Sequence, residues 1–96
     1  MTFSFHPDAM KEFLEAVDFY ESRELGLGLD FAAEIQVAIR NILAYPTAWP
    51  KLSDRVRRCL VNRYPYGVLY GIEGEEVLIV ALMHLRRHPD YWKGRI

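Results

Sequence analysis

The residues best equipped for chemistry stand near the end of the chain, in His84-Leu85-Arg86-Arg87-His88-Pro89-Asp90-Tyr91-Trp92-Lys93-Gly94-Arg95. Three more cations, Arg57, Arg58 and Arg63, precede them on neighbouring segments. A guanidinium suits phosphate because it offers a bidentate fork and stays charged. His84 and His88 belong to the residue type that transfers protons near neutrality. Arginine, histidine and tyrosine together suffice for RNA cleavage by 2′-OH attack. A base takes the hydroxyl proton, an acid supplies one to the leaving oxygen, and arginine stabilises the charge on phosphorus. Each residue also has a structural reading. His84 can be a hydrogen-bonded histidine ending an apolar strand. Arg86 and Arg87 can bridge to acidic helices, notably at Glu21, Glu24 or Glu34. Tyr91 and Trp92 can fold back as core anchors, and Arg63 can fix a turn. Cys59 reads as a small apolar filler. His84 and His88 have the i, i+4 spacing of a helical metal pair, but Pro89 breaks that reading. No metal or cofactor is expected.

The elements that must hold these residues follow from patterning. Thr2 to His6 alternates and reads as a short strand. Pro7 sits where a helix begins, with Asp8 and Glu12 in the first turns beside the positive end of its dipole. Met10, Phe13, Val17 and Tyr20, widened by Leu14 and Ala16, form an amphipathic helix to about Glu24. Leu25-Gly26-Leu27-Gly28 reads as a break with turn glycines. Phe31, Ile35, Ala38, Ile39 and Ile42 mark a second helix ending near Ala44-Tyr45, before Pro46. Thr47 to Asp54 reads as a loop. Three strands follow, at Val56–Val61, Tyr66–Ile72 and Val77–His84, with a hairpin turn at Glu73-Gly74-Glu75. The last is apolar on both faces and so belongs in the sheet centre. Alternation puts Arg58 with Val56 and Leu60, and Arg57 with Cys59 and Val61 on the other face. The order β-α-α-β-β-β defines an α+β domain over residues 1–96, a helical hairpin covering one face of a mainly antiparallel sheet.

Composition limits the function classes. With 96 residues, 51% hydrophobic and 14% aromatic, the chain is one folded domain and not a disordered one. A formal net charge of -1 argues against coating nucleic acid by bulk attraction. That sum hides an asymmetry: residues 1–50 carry eight carboxylates and three basic side chains, giving −5, and residues 51–96 carry nine basic side chains and five carboxylates, giving +4. Such a split points to an anion-facing surface in the second half, or to basic strands paired with acidic helices. One cysteine excludes an internal disulfide and a Cys-rich zinc site. The N-terminus lacks a signal-peptide pattern and no apolar run approaches a membrane span, so a cytoplasmic location is expected.

The element order, Arg57-Arg58, the strand Arg63-Tyr64-Pro65-Tyr66-Gly67-Val68-Leu69-Tyr70, and the ending His84-x-Arg86-Arg87-x-Pro89-x-Tyr91-Trp92 together resemble the RelE/ParE superfamily of bacterial toxins. These are the toxin halves of type II toxin–antitoxin pairs, often described as plasmid stabilisation proteins. The resemblance runs from the helix start at Pro7 to Arg95. It implies one of two activities. ParE-like members inhibit growth through DNA gyrase and are not enzymes. RelE-like members are ribosome-dependent mRNA endonucleases. By position, that second branch would assign catalysis to Arg63, His84, Arg86 and Tyr91; on either branch Arg57, Arg58, Arg87, His88 and Trp92 are the expected binding residues. The 46–56 segment offers only Lys51 and Arg55 where RelE-like members are lysine-rich, and the pI of about 6.3 is low for a ribosome-binding ribonuclease. The acidic helices favour the ParE-like branch; a degenerate, non-toxic relative is the remaining alternative. The resemblance also implies a cognate antitoxin, whose disordered segment would wrap the hairpin and sheet, adding a strand or helix.

Overall fold

A computed structural model describes all residues, Met1–Ile96. Strand β1 (Thr2–Phe5) leads through His6 into helix α1 (Pro7–Arg23). Pro7 occupies the first helical turn, and His6 caps it by accepting the Asp8 amide on Nδ1 at 3.0 Å. Helix α2 (Leu27–Ala44) follows after three residues. The break is shorter than the glycine pattern suggests. Gly26 alone takes a left-handed φ of 88° at the α2 N-cap, whereas Gly28 lies inside the helix and is buried. A Cβ at Gly28 would stand 2.7 Å from the Val17 carbonyl oxygen, so glycine here permits close helix crossing and does not make a turn. Glu21 of α1 caps α2 from outside, accepting the Gly26 and Gly28 amides at 2.9 Å each. Its carboxylate thus sits at the positive end of the neighbouring helix.

Strands β2 (Arg57–Leu60), β3 (Tyr66–Glu73) and β4 (Glu76–His84) complete a mixed sheet in the order β1-β4-β3-β2. β4 is central, as its two apolar faces require, and pairs parallel with β1 and antiparallel with β3. The register places Arg58 opposite Leu69 and Leu60 opposite Gly67. It places Gly67 opposite Met83, and a bulge interrupts the β3–β4 ladder at Val80.

Both helices lie on one face of this sheet. Ala9, Ala16, Phe31, Ile35 and Ile42 meet Cys59, Val68, Tyr70, Val77, Ile79 and Leu82 there. Cys59 is a buried member of that core. Met10 and Leu14 fall outside the buried stripe of α1: both are exposed, because Ala9 and Ala16 centre it. The opposite face carries a second core of Val56, Leu69, Val80, Ala81 and Met83, closed by Trp92, which is 1% exposed. The tail therefore folds back across the open face, with the Trp92 indole donating to the Pro89 carbonyl at 2.6 Å. No helix is long and apolar enough to cross a membrane.

Candidate functional site

The central strand ends where the candidate residues begin, and the fold sorts them into tied and free groups. Arg57 points to the helix side, as alternation requires. Its Nη1 donates to the Thr47 and Trp49 carbonyls at 3.1 and 2.8 Å, which fixes the loop before β2. Tyr70 reinforces that loop by donating its hydroxyl to the Pro46 carbonyl at 2.6 Å; burial raises its pKa to about 12. Arg63 adopts a left-handed φ of 70° in the β2–β3 turn. It contacts Asp30 at 2.5 Å and Glu34 at 3.6 Å, both on α2. Tyr64 donates to the same Asp30 oxygen, and its phenol is pushed up to about 12 by burial and then by Asp30. Arg63 thus fixes a turn, and its charge is matched by two carboxylates.

The tail is organised around Glu12. β1 pairs with β4 only as far as Ile79, because the chain turns into α1 at Pro7. Beyond that point Glu12 and Arg95 replace the missing strand. Glu12 Oε1 accepts the Leu82 amide at 3.1 Å, and Arg95 Nη1 donates to the Val80 carbonyl at 3.0 Å. The two side chains join each other at 2.9 and 3.0 Å in a bidentate pair. These hydrogen bonds raise the Arg95 pKa further. Arg87 adds a contact to Glu12 at 3.3 Å. Arg87 and Arg95 also lie over the Tyr91 ring, 3.8 and 5.0 Å from its centroid. The Tyr91 hydroxyl is buried without a hydrogen-bond partner. Burial first, and the Glu12 carboxylate second, push its pKa upward.

The expected pairing of Arg86 and Arg87 with Glu21, Glu24 or Glu34 is therefore corrected. Arg87 goes to Glu12, Glu34 takes Arg63, Glu21 caps α2, and the Arg86 side chain makes no ion pair. Glu12 serves the β4 edge and not the α1 dipole. Glu12 and Arg95, 83 positions apart, form a contact that no spacing in the chain announces.

His84 lies on the helix side, its ring 5.2 Å from Tyr66. Its Nδ1 accepts the Arg86 amide at 3.1 Å, so the proton of the neutral ring sits on Nε2. It lines an open groove of about 350 Å³ with Glu12, Glu15, Phe19, Tyr66 and Arg87. His88 is exposed and accepts the Asp90 amide at 3.2 Å within a local turn. Arg58 and Arg86 remain without a carboxylate partner. Arg58 lies on the open sheet face with its stem across Gly67, where a Cβ would come within 2.9 Å of its Cγ and Cδ. Leu60, 56% exposed, stands beside it, and Leu85, 43% exposed, extends the β4 alternation next to Met83. Leu85 holds that place through its amide, which donates to Pro65 at 2.9 Å. The free part of the site is thus a shallow surface over Gly67 and Met83, with Leu60, Leu85 and the unpaired Arg58; the exposed Arg86 follows in the turn after β4. It can grip a partner through apolar burial and charge, whereas the groups with acid–base capacity lie elsewhere. The exposed leucines carried no signal in sequence, since alternation assigns a face and not its cover.

The molecule is thus a helical hairpin on one face of a mixed four-stranded sheet whose other face is crossed by a short tail. A solved structure titled as a chromosomal ParDE TA system from P. aeruginosa superposes with a TM-score of 0.74 and 19% identity, covering 90% of this chain and 97% of that one. The family model for the ParE toxin of the type II toxin-antitoxin system, parDE, matches residues 3–89, and the chain belongs to that family. No curated protein matches the chain.

Proposed function

We propose that this chain is a growth-inhibiting toxin that binds DNA gyrase in the cytoplasm through the open sheet face at Arg58, Leu60 and Leu85 and the adjoining turn at Arg86. A cognate antitoxin neutralises it. The reading rests first on family membership. The observation that carries the choice of target is the state of Tyr91 and Arg63. The Tyr91 hydroxyl is buried under two guanidiniums, and Arg63 is matched by Asp30 and Glu34. A ribonuclease needs such groups within hydrogen-bond reach of a phosphodiester. The free surface instead pairs exposed leucines with two arginines, the composition of a protein-binding patch.

The experiment is induced expression with separate readouts of DNA supercoiling and of translation, followed by the purified chain in a gyrase assay. The expected result is loss of supercoiling, with mRNA on translating ribosomes left intact. The charge reversals Arg58→Glu and Arg86→Glu should each relieve inhibition while leaving the melting midpoint unchanged. Codon-specific mRNA cleavage that disappears with Tyr91→Phe would overturn the proposal in favour of the RelE-like branch. Unimpaired growth at high expression would mark the chain as an inactive relative.

A further inference from the structure

Residues 51–96 carry nine basic side chains, and the folded chain matches four of them with carboxylates. Arg63 meets Asp30 and Glu34, Arg87 and Arg95 meet Glu12, and Lys93 meets Asp90 at 3.0 Å. Of the five left over, Arg58 and Arg86 belong to the open face and its adjoining turn. The other three, Lys51, Arg55 and Arg57, line one cleft of about 400 Å³ where β2 begins and β3 ends, floored by buried Tyr70 and Gly71. Arg57 enters this cleft already fixed in place. Its Nη1 is held by the Thr47 and Trp49 carbonyls, which leaves Nη2 and Nε free to donate. Lys51 and Arg55 stand on a tight loop, in which the Leu52 amide donates to the Val56 carbonyl at 2.8 Å and Ser53 Oγ accepts the Val56 amide at 3.2 Å. A Cβ at Gly71 would stand 3.1 Å from the Arg55 carbonyl oxygen, so glycine lets this loop lie close against β3.

We propose that this cleft binds the phosphate end of a small molecule of nucleotide size. Three cations with no carboxylate of their own repel one another, and an anion seated among them relieves that repulsion. Guanidinium forks match phosphate oxygens, and an ammonium adds a compact point charge. The volume falls within the range of small-ligand sites. Two exposed carboxylates, Asp54 and Glu73, line the same cleft and form no ion pair. They favour a compact ligand over a nucleic-acid backbone. A terminal phosphate can sit among the three cations while ligand hydroxyls donate to the carboxylates, whereas a row of phosphodiesters would run against them. The cleft shares no residue with the proposed gyrase surface, so the inference does not depend on that target.

The probes are ATP and inorganic triphosphate, titrated calorimetrically into the full chain at physiological ionic strength. Each should show one saturable site. Amide NMR spectra should place the largest ligand-induced shifts at Arg55, Arg57 and Gly71. Lys51→Ala and Arg55→Ala, both on the exposed loop, should each weaken binding by about tenfold or more, the worth of one charge-assisted hydrogen bond. Arg58→Ala, on the opposite sheet face, should leave the affinity unchanged. All three variants should keep the melting midpoint of the parent chain, since none of these side chains makes a hydrogen bond or ion pair within it. Arg57 is not substituted, because it also fixes the loop before β2. No saturable binding of either probe, or an affinity that survives Lys51→Ala/Arg55→Ala together, would overturn the proposal. A duplex oligonucleotide of random sequence forms the second arm. Duplex binding tighter than triphosphate binding, and lost in the same double variant, would overturn the compact ligand in favour of a nucleic-acid backbone. Growth inhibition is scored separately. Gyrase inhibition without triphosphate binding would sink only this inference, and triphosphate binding without gyrase inhibition only the toxin reading.

Discussion

Glu12 is the position at which a single substitution should do the most damage. It is 12% exposed and receives the Leu82 amide, both Arg95 Nη atoms and Arg87 Nη1. Glu12→Ala leaves the Arg95 guanidinium, itself 13% exposed, with only the more distant Asp8 carboxylate at 3.8 Å, and the Leu82 amide without an acceptor. Breaking a buried ion pair from one side costs about 3–5 kcal/mol. That is a large share of the ~5–15 kcal/mol by which a domain of this kind is stable. Each kcal/mol moves the melting midpoint of a chain this size by roughly 4–8 °C. Glu12→Gln keeps the shape and one acceptor while removing the charge, so its cost should fall near 1.5–3 kcal/mol, the worth of hydrogen bonds to a charged group. The double variant Glu12→Leu/Arg95→Leu removes both charges together and should recover part of the loss, since apolar replacement of a whole buried pair is often neutral. Urea denaturation followed by tryptophan fluorescence reads all three, because Trp92 sits in the core that the tail closes. A loss below about 1 kcal/mol for Glu12→Ala would place the pair among exposed salt bridges and refute its role as a surrogate strand.

Further outcomes follow from other contacts. Gly28→Ala should destabilise by about 1–3 kcal/mol in denaturant titration despite better helix propensity, because its Cβ would meet the Val17 carbonyl oxygen, which cannot swing away. Tyr91→Phe should change denaturant stability by less than about 1 kcal/mol, since the buried hydroxyl faces only the Glu12 carboxylate that Arg87 and Arg95 already hold, and should leave growth inhibition intact. Tyr64 and Tyr70 titrate near 12 in the folded chain against about 10 unfolded, so the native state holds protons that the unfolded state releases. The contribution of these two tyrosines should be level below pH 10 and fall as pH rises from 10 to 12. Denaturation midpoints across that window check the fall, and phenolate absorbance should show these tyrosines ionising late.

Much of this architecture was already written in local patterning. Pro7, the 3–4 spacing of Phe13, Val17 and Tyr20, and the run Val77–Met83 specified a helix start, a hairpin helix and a central strand without reference to anything distant. These features depend on backbone geometry and on the period at which side chains repeat, and both are local properties. Arg57 and Arg58 divided between the two faces as alternation required. Pairing and cover were not local. Nothing in the spacing joins Glu12 to Arg95, Asp30 to Arg63 and Tyr64, or Glu21 to Gly28. Those contacts exist because β1 stops at Phe5 and leaves β4 an open edge, and because the hairpin brings α2 against both α1 and the β2–β3 turn. The sequence by itself determined the elements, their order and the supply of arginines at the sheet end. Only the tertiary structure decided which arginines kept an unmatched charge, because that depends on which carboxylates the folded chain brings within reach.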